Sequence, residues 1–146
     1  HVRLVIVGEG PEREAIVAEA ARAGMTDRLV LPGFMGQPHQ FVGLFDIFAL
    51  SSDSEQFPIS LGEAMAAGLP AVSTDVGDVL SIVADENRRF VVPVTDEAGY
   101  AQALATLVAD ADLRAKVGQA NRTKAVAQYD EASMISAYAQ LYGLPA

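Results

Sequence analysis

Short apolar runs alternate with longer segments of helical periodicity along the chain. Five runs of three or four residues are rich in aliphatic and β-branched side chains and end at turn residues, which is typical of buried strands. They cover residues 4–7, 29–31, 47–50, 71–74 and 90–92. Because these runs are apolar at almost every position, the pattern predicts strands that are covered on both faces.

The segments between these runs carry helix signals. Pro11 suits the first turn of a helix that Gly24 ends, and further helices are predicted over residues 40–45, 60–67 and 79–84. Helical periodicity then continues from residue 97 to about 142, with breaks near Asp110 and Asp130. Strands alternating with helices predict a single α/β domain over residues 1–146. Its architecture is a Rossmann-like, doubly wound parallel sheet in three layers, α/β/α, with a helical C-terminal tail after about residue 110.

Composition excludes several classes of protein. The formal net charge of −9 and the absence of a Lys/Arg cluster argue against nucleic acid as a partner. No apolar run of about 18 residues is present, so no membrane span is expected, and the first seven residues do not resemble a signal peptide. Cysteine is absent, which fits a cytoplasmic protein without requiring one. His1 and His39 are expected at the surface rather than as metal ligands.

The segment from Glu55 to Glu63 carries the strongest candidate chemistry. Its two carboxylates bracket a loop that leads into a predicted helix start, where backbone N–H groups of residues 57–61 could bind a diphosphate. Carboxylates beside that site can accept hydrogen bonds from sugar hydroxyls. Spacing alone favours another interpretation, in which Ser60 and Glu63 form a capping box. Gly62 costs a helix about 1 kcal/mol relative to Ala, which suggests close approach by a neighbour or a ligand.

Two further turns face the ligand-binding edge of the predicted sheet. Gly8 and Gly10 follow the first strand, but Arg13 stands where a G-x-G-x-x-G motif has its third glycine, so NAD or FAD is not predicted. A tight turn that begins a helix explains the two glycines at least as well. The turn over residues 74–78 either reaches the ligand edge or is a plain connection with Asp78 near a helix start.

Taken together, these motifs resemble family 4 of the retaining glycosyltransferases. The resemblance rests on residues 51–58 and 61–70, with supporting motifs at 5–12, 31–34 and 75–79. It implies the GT-B fold, in which two Rossmann-like domains face each other across a cleft and the C-terminal domain binds the nucleotide-sugar donor. The chain resembles that C-terminal domain alone, without the family's first strand and helix. It is therefore expected to be a fragment of a longer enzyme.

The resemblance also implies roles for individual residues. The family's Glu-x7-Glu pair falls on Glu55 and Glu63, where the first position contacts the transferred hexose at the catalytic centre and the second binds the ribose hydroxyls. Gly62 stands where the family usually has a larger apolar residue, which leaves the pair intact. The family typically transfers the sugar without a bound metal, so neither a metal nor another cofactor is expected.

Further donor contacts are implied along one loop and two turns. The turn that includes Leu31 and Gly33 would lie near the nucleotide base, and Gly8 and Gly10 would line the same cleft. The backbone of five residues would meet the sugar and the diphosphate: Phe57, Pro58, Ile59, Ser60 and Leu61.

The expected function is donor binding within a cytoplasmic hexosyltransferase that acts on a glycan or lipid-linked acceptor, in the manner of enzymes that build bacterial surface polysaccharides. Acceptor binding, and any membrane association, would belong to the N-terminal domain. In the family, the Arg and Lys that neutralise the diphosphate precede the position of His1, so the fragment alone is expected to show little or no transfer. Two alternatives stay open. One is a nucleotide-binding or regulatory module without transfer activity, and the other is a GT-B sugar-nucleotide epimerase, although its acid–base residues are not evident.

Overall fold

A computed structural model describes residues 2–144, so the surface position predicted for His1 lies outside the described residues. The strands of this part of the chain are β1 Leu4–Val7, β2 Leu29–Gly33, β3 Phe48–Leu50, β4 Ala71–Thr74 and β5 Val91–Val92. Its α-helices are α1 Arg13–Arg22, α2 Ile59–Ala66, α3 Val79–Ile82, α4 Glu97–Ala109, α5 Ala111–Gln128 and α6 Glu131–Leu141. Short 3₁₀ segments cover Thr26–Arg28, Pro38–Gln40, Val42–Leu44 and Asp85–Phe90.

The chain divides into two compact units, and the first is His1–Pro38. In this unit β1 and β2 pair in parallel, with Leu4 opposite Leu29 and Val5 opposite Val30. No side chain among its described residues is fully buried, and Val30 is 41% exposed. The prediction of strands covered on both faces is therefore wrong for β1 and β2, because the unit supplies a single α-helix, α1, to cover them.

The second unit is His39–Ala146 and contains a parallel sheet in the order β3–β4–β5. Phe48 of β3 lies opposite Ala71 of β4, and Thr74 at the end of β4 lies opposite Val92. All four positions of β4 are buried, so the prediction of covered faces is confirmed for this central strand.

The core of the second unit lies between its sheet and helices α2 to α5. The predicted C-terminal tail is helical, but α5 is an integral part of the core because it buries four of its residues, whereas α6 buries none. The largest fully buried apolar side chains come from α2, β4, α3, α4, α5 and the residue that follows α3: Leu61, Met65, Val72, Val79, Ile82, Val83, Leu107 and Val117.

Helix boundaries in the second unit follow local signals closely. Asp96, Asp110 and Asp130 are the N-caps of α4, α5 and α6, and each carboxylate accepts a hydrogen bond from the N–H three residues later, at 2.8 to 3.0 Å. The predicted breaks near Asp110 and Asp130 are thus confirmed. The helix predicted over residues 40–45 is wrong, since two 3₁₀ segments stand there instead.

A buried pair of asparagines links β4 to α5. The side chain of Asn87 accepts a hydrogen bond from the Ala71 N–H and donates one to the Ala71 carbonyl, both at 2.8 Å. Asn121 donates to Asn87 and to the Leu69 carbonyl at 2.9 Å, and it accepts from the Ala84 N–H at 3.1 Å. Both amides are wholly buried. Because both amides have hydrogen-bond partners, the pair fixes the start of β4 against α5 and does not weaken the core.

Three cations of α5 bind the carboxyl ends of other helices. Arg122 donates to the Ala66 carbonyl at the end of α2 at 3.0 Å. Arg114 donates to the Leu107 carbonyl near the end of α4 at 2.7 Å, and Lys124 to the Val83 carbonyl after α3 at 2.8 Å. Positive charge is stabilising at such ends. These three cations therefore serve the fold.

Candidate functional site

The loop that carries Glu55 connects β3 to α2, at the carboxyl end of β3. Glu55 is partly buried, and its Oε1 accepts a hydrogen bond from the Ser52 hydroxyl at 2.7 Å. Thr74 Oγ1 donates to the Ser52 carbonyl at 2.6 Å, and the Asp78 N–H donates to the Gln56 carbonyl at 2.9 Å. The loop is thus attached to the end of β4 and to the turn that follows it.

Gly77 belongs to that turn and allows it to approach the loop. Its φ of +51° lies in the region that favours glycine, and a Cβ there would overlap the carbonyl oxygens of Glu55 and Gln56. Asp78 is the N-cap of α3, but its side chain makes no capping hydrogen bond. The turn over residues 74–78 therefore reaches the candidate site through its backbone.

Helix α2 begins without a side-chain cap. Pro58 occupies the N-cap position in an extended conformation, and the Leu61 N–H donates to its carbonyl at 3.1 Å. The capping box predicted from Ser60 and Glu63 is wrong, because Pro58 begins the helix two residues earlier and leaves Ser60 inside the first turn. Among the described residues, the N–H groups of Ile59 and Ser60, the first two of α2, therefore have neither an intrahelical acceptor nor a capping side chain.

Glu63 lies in the middle of α2 and is partly buried. Within the described residues its carboxylate has no hydrogen-bond or ion-pair partner. Leu61, Ala64 and Met65 on the same helix are fully buried in the core. The core contacts thus hold α2 in place, and the carboxylate of Glu63 stays available as an acceptor for hydroxyl groups.

The other predicted residues of this loop differ in what they can offer a ligand. Pro58 and Leu61 are buried, so their side chains are not available to a ligand. Phe57 and Ile59 are 46% and 72% exposed. Ser60 is exposed as well. The site therefore combines backbone donors, two carboxylates and accessible apolar surface.

Tyr129 at the end of α5 supports the ring of Phe57, a contact that sequence reasoning missed. The two rings meet edge to face, with centroids 5.7 Å apart. The Tyr129 hydroxyl donates to the Ile82 carbonyl at 3.3 Å, and burial together with the charge of Asp78 raises the pKa of this hydroxyl. An aromatic residue 72 positions away in sequence from Phe57 gives no local signal of this contact.

Gly62 faces open space. Apart from its own helix backbone, a Cβ at this position would have no heavy atom of the described residues within 4 Å. The suggestion that the glycine accommodates a neighbouring protein group is therefore wrong for the part of the chain that the structure describes.

Replacement of Gly62 by alanine is expected to stabilise the chain by about 1 kcal/mol, because alanine has the higher helix propensity and meets no steric obstacle. Urea unfolding of the two proteins measures the difference. A loss of stability would contradict the open surroundings of Gly62. Donor affinity should stay unchanged, and a decrease would instead indicate that the ligand approaches the backbone at this point.

The first unit contains a cavity of about 230 Å³ beside its glycine-bearing turn. Arg13 spans part of its wall, since its guanidinium donates to the Leu31 carbonyl at 3.3 Å. Three predicted site residues, Gly8, Gly10 and Leu31, are thereby brought together. The cavity is lined by Ile6, Val7, Gly8, Glu9, Gly10, Pro11, Glu12, Arg13, Ile16 and Leu31.

Gly33 lies next to this cavity rather than in its wall. The Gly8 N–H donates to its carbonyl at 2.9 Å. Its φ is +83°, and a Cβ would lie 3.2 Å from Glu9 Oε1. The glycine thus lets Glu9, a residue that sequence reasoning did not single out, lie close against the end of β2.

The segment that holds the Glu55 loop carries no basic side chain. The sequence has no Lys or Arg between Arg28 and Arg88, so this segment itself can offer an anion backbone N–H groups but no Lys or Arg side chain. Among residues 2–144, no three His, Cys, Asp or Glu side chains come together as a metal site, and His39 is exposed. None of the helices described for this chain is long and apolar enough to cross a membrane.

Comparison with known proteins supplies the context for this geometry. The family model described as "Glycosyl transferases group 1" matches residues 1–124. N-acetyl-alpha-D-glucosaminyl L-malate synthase of Bacillus anthracis is 27% identical, with 96% of this chain and 37% of that protein covered. The lipopolysaccharide core biosynthesis glycosyltransferase LpsE of Rhizobium meliloti (strain 1021) is 29% identical, with 96% of this chain and 41% of LpsE covered. The chain therefore spans about two fifths of the length of these curated relatives.

A solved structure of HepE from Anabaena, in complex with UDP, superposes with a TM-score of 0.88 at 21% identity. The superposition covers 97% of this chain and 41% of the HepE chain. The same protein has also been solved with UDP-glucose. The likeness confirms the predicted fold class, a Rossmann-like α/β arrangement of parallel strands and flanking helices.

Proposed function

The chain belongs to the glycosyl transferases group 1 family, and from this premise we propose that it is the donor-binding domain of a retaining glycosyltransferase. The complete enzyme would transfer a hexosyl group from a nucleotide sugar to a glycan or lipid-linked acceptor. One observation carries the proposal: two partly buried carboxylates, Glu55 and Glu63, flank a helix start whose N–H groups are uncapped. Such a helix start suits a diphosphate, and the carboxylates suit the sugar hydroxyls on either side of it.

Each carboxylate has a distinct role in this proposal. Glu55 accepts hydrogen bonds from the transferred hexose and stabilises it where the reaction occurs. Glu63 accepts hydrogen bonds from the ribose hydroxyls. The backbone of residues 57–61 contacts the diphosphate, whose charge increases as the glycosidic bond breaks. Donors that are already fixed by the helix stabilise that charge without reorganisation.

The first unit contributes to nucleotide recognition in the same proposal. Gly8 and Gly10 allow close approach of the backbone to a ligand, while Leu31 lies in the middle of β2 and Gly33 at its end. Gly8, Gly10 and Leu31 line the cavity of about 230 Å³ in this unit, and Gly33 lies next to it. We assign contact with the nucleotide base to the segment of Leu31 and Gly33, with Gly8 and Gly10 beside it.

The names of the relatives support the substrate classes that we propose. HepE has been solved with UDP and with UDP-glucose, which makes uridine diphosphate sugars the first donors to test. LpsE is named for lipopolysaccharide core biosynthesis, which supports a glycan or lipid-linked acceptor and a role in bacterial polysaccharide synthesis. We place the reaction in the cytoplasm, without a bound metal. The acceptor site and any membrane association are assigned to an N-terminal domain, and the Arg and Lys that neutralise the diphosphate are assigned to the family's segment that precedes the position of His1.

A melting screen against nucleotides tests donor binding. UDP, GDP and ADP, each alone and as a sugar conjugate, are added at about 100 times the dissociation constant. A ligand that binds the folded state stabilises it by about 2.7 kcal/mol under these conditions, which raises the Tm by several degrees. We expect the complete enzyme to respond to one base, with uridine favoured. No response of the complete enzyme to any nucleotide would contradict the proposed function. A response of the complete enzyme but not of the 146-residue chain would show that groups outside this chain are required.

A further inference from the structure

Ser52 is the group that touches the Glu55 carboxylate, and neither the family match nor the sequence motifs assign it a role. Resting on the proposed function, we propose that Ser52 is a positioning residue that orients Glu55 for the transferred hexose. Its hydroxyl donates to Glu55 Oε1 at 2.7 Å. This is a good distance for a hydrogen bond from a hydroxyl to a charged acceptor.

The position of Ser52 is itself fixed by the sheet. Its carbonyl accepts a hydrogen bond from Thr74 Oγ1 at 2.6 Å. Thr74 is the last residue of β4 and is 6% exposed. The hydroxyl of Ser52 is therefore presented from a strand end of the core rather than from a loose loop.

The hydrogen bond restricts a side chain that otherwise has many rotamers. A glutamate loses considerable conformational entropy when it is ordered, and a residue that orders it before the donor arrives removes that cost from the reaction. In the part of the chain that the structure describes, Ser52 is the sole hydrogen-bond partner of the Glu55 carboxylate. With Oε1 occupied, Oε2 is left to accept a hydrogen bond from a hexose hydroxyl.

The backbone of Glu55 is held separately from its side chain. Gly77 packs against the Glu55 and Gln56 carbonyls, and the Asp78 N–H binds the Gln56 carbonyl. Removing the Ser52 hydroxyl should therefore release the carboxylate while the loop stays in place. If Ser52 only stabilised the loop, its replacement by alanine would have the same effect on kcat with and without the Glu55 side chain.

A double-mutant cycle separates these two roles. In the complete enzyme, Ser52→Ala is expected to lower kcat about tenfold, the usual loss for one hydrogen bond to a charged group. Affinity for the nucleoside diphosphate alone should not change, because no hexose is present to contact Glu55. Ser52→Thr, which keeps the hydroxyl, should retain most of the activity. In a Glu55→Ala background, Ser52→Ala should have no further effect on kcat.

Several results would overturn the inference. A tenfold loss from Ser52→Ala that persists in the Glu55→Ala background would show that Ser52 acts on another group. A parallel fall in nucleoside diphosphate affinity would show that the variant disturbs the whole loop. If Glu55→Ala lowers kcat and Ser52→Ala does not, the inference fails and the proposed function stands. If Glu55→Ala itself leaves kcat unchanged, the proposed role of Glu55 is contradicted. The proposed role of Ser52, which depends on it, is then contradicted as well.

Discussion

Replacement of Glu55 by alanine is expected to lower the kcat of the complete enzyme by about 100-fold, the low end of the loss seen when one fixed polar contact to a transition state is removed. In the proposed function this carboxylate contacts the sugar that is transferred, so its interaction changes as the glycosidic bond breaks. The KM for the donor should change little, because the ribose and the diphosphate are bound elsewhere on the donor.

Glu63→Ala is the matched control, since it removes the same group eight positions along the same segment. In the proposal Glu63 binds the ribose, which does not react, so its loss should raise the donor KM about tenfold and leave kcat nearly unchanged. Steady-state kinetics at varied donor concentration measure both parameters. Wild-type kinetics in both variants would contradict the assigned roles. A fall in kcat for Glu63→Ala with a rise in donor KM for Glu55→Ala would show that the two roles are exchanged.

Neither substitution is expected to unfold the protein. Glu55 makes one side-chain hydrogen bond, and Glu63 makes none within residues 2–144. The packing of α2 rests on Leu61, Ala64 and Met65, which the two variants leave in place. Equal melting temperatures would therefore show that the kinetic changes arise at the site.

Local patterns predicted the elements because the interactions that begin and end them are local. Asp110 and Asp130 bind N–H groups only three residues away, so a single polar residue within a helical pattern marks the boundary. Gly68 similarly ends α2 with a φ of +83°, and the Leu69 N–H binds the Ala64 carbonyl.

The capping box shows where a local pattern leads to a wrong structure. Ser60 and Glu63 have the required spacing, but α2 already begins at Ile59, after Pro58, so Ser60 lies inside the first turn and cannot be the N-cap that a capping box requires. The spacing was therefore coincidental. Because the capping box is absent, the N–H groups of Ile59 and Ser60 at the start of α2 have no capping side chain, which strengthens the candidate site.

Contacts between distant segments could not be predicted from one sequence. Asn87 and Asn121 are 34 positions apart, and a lone asparagine in a helical pattern gives no sign that its amide is buried. The same limit applies to the pairing of strands. Alternating strands and helices predict parallel strands, but not that β1 and β2 form one sheet and β3, β4 and β5 another within the described chain.

One close backbone approach between distant segments lies between α5 and the end of α2. A Cβ on Gly118 would overlap the carbonyl oxygen of Gly68 and would lie 3.4 Å from the carbonyl carbon of Leu69. Hydrogen bonds from Asn121 to Leu69 and from Arg122 to the end of α2 surround this point. A side chain at position 118 would therefore meet backbone atoms of a turn that is held by hydrogen bonds. Such atoms cannot move aside as the end of a flexible side chain can.

Replacement of Gly118 by alanine is consequently expected to destabilise the chain by about 3 kcal/mol or more, although alanine has the higher helix propensity. Urea unfolding measures the loss, and Gly62→Ala provides the control, because it is the same change in a helix that has open space at the Cβ. The two variants should thus change the free energy of unfolding in opposite directions, with Gly62→Ala raising it and Gly118→Ala lowering it. A Gly118→Ala protein as stable as the wild type would mean that α5 packs less closely on this turn than described. Because the turn ends the helix that carries Glu63, the same variant should also weaken donor binding wherever it remains folded.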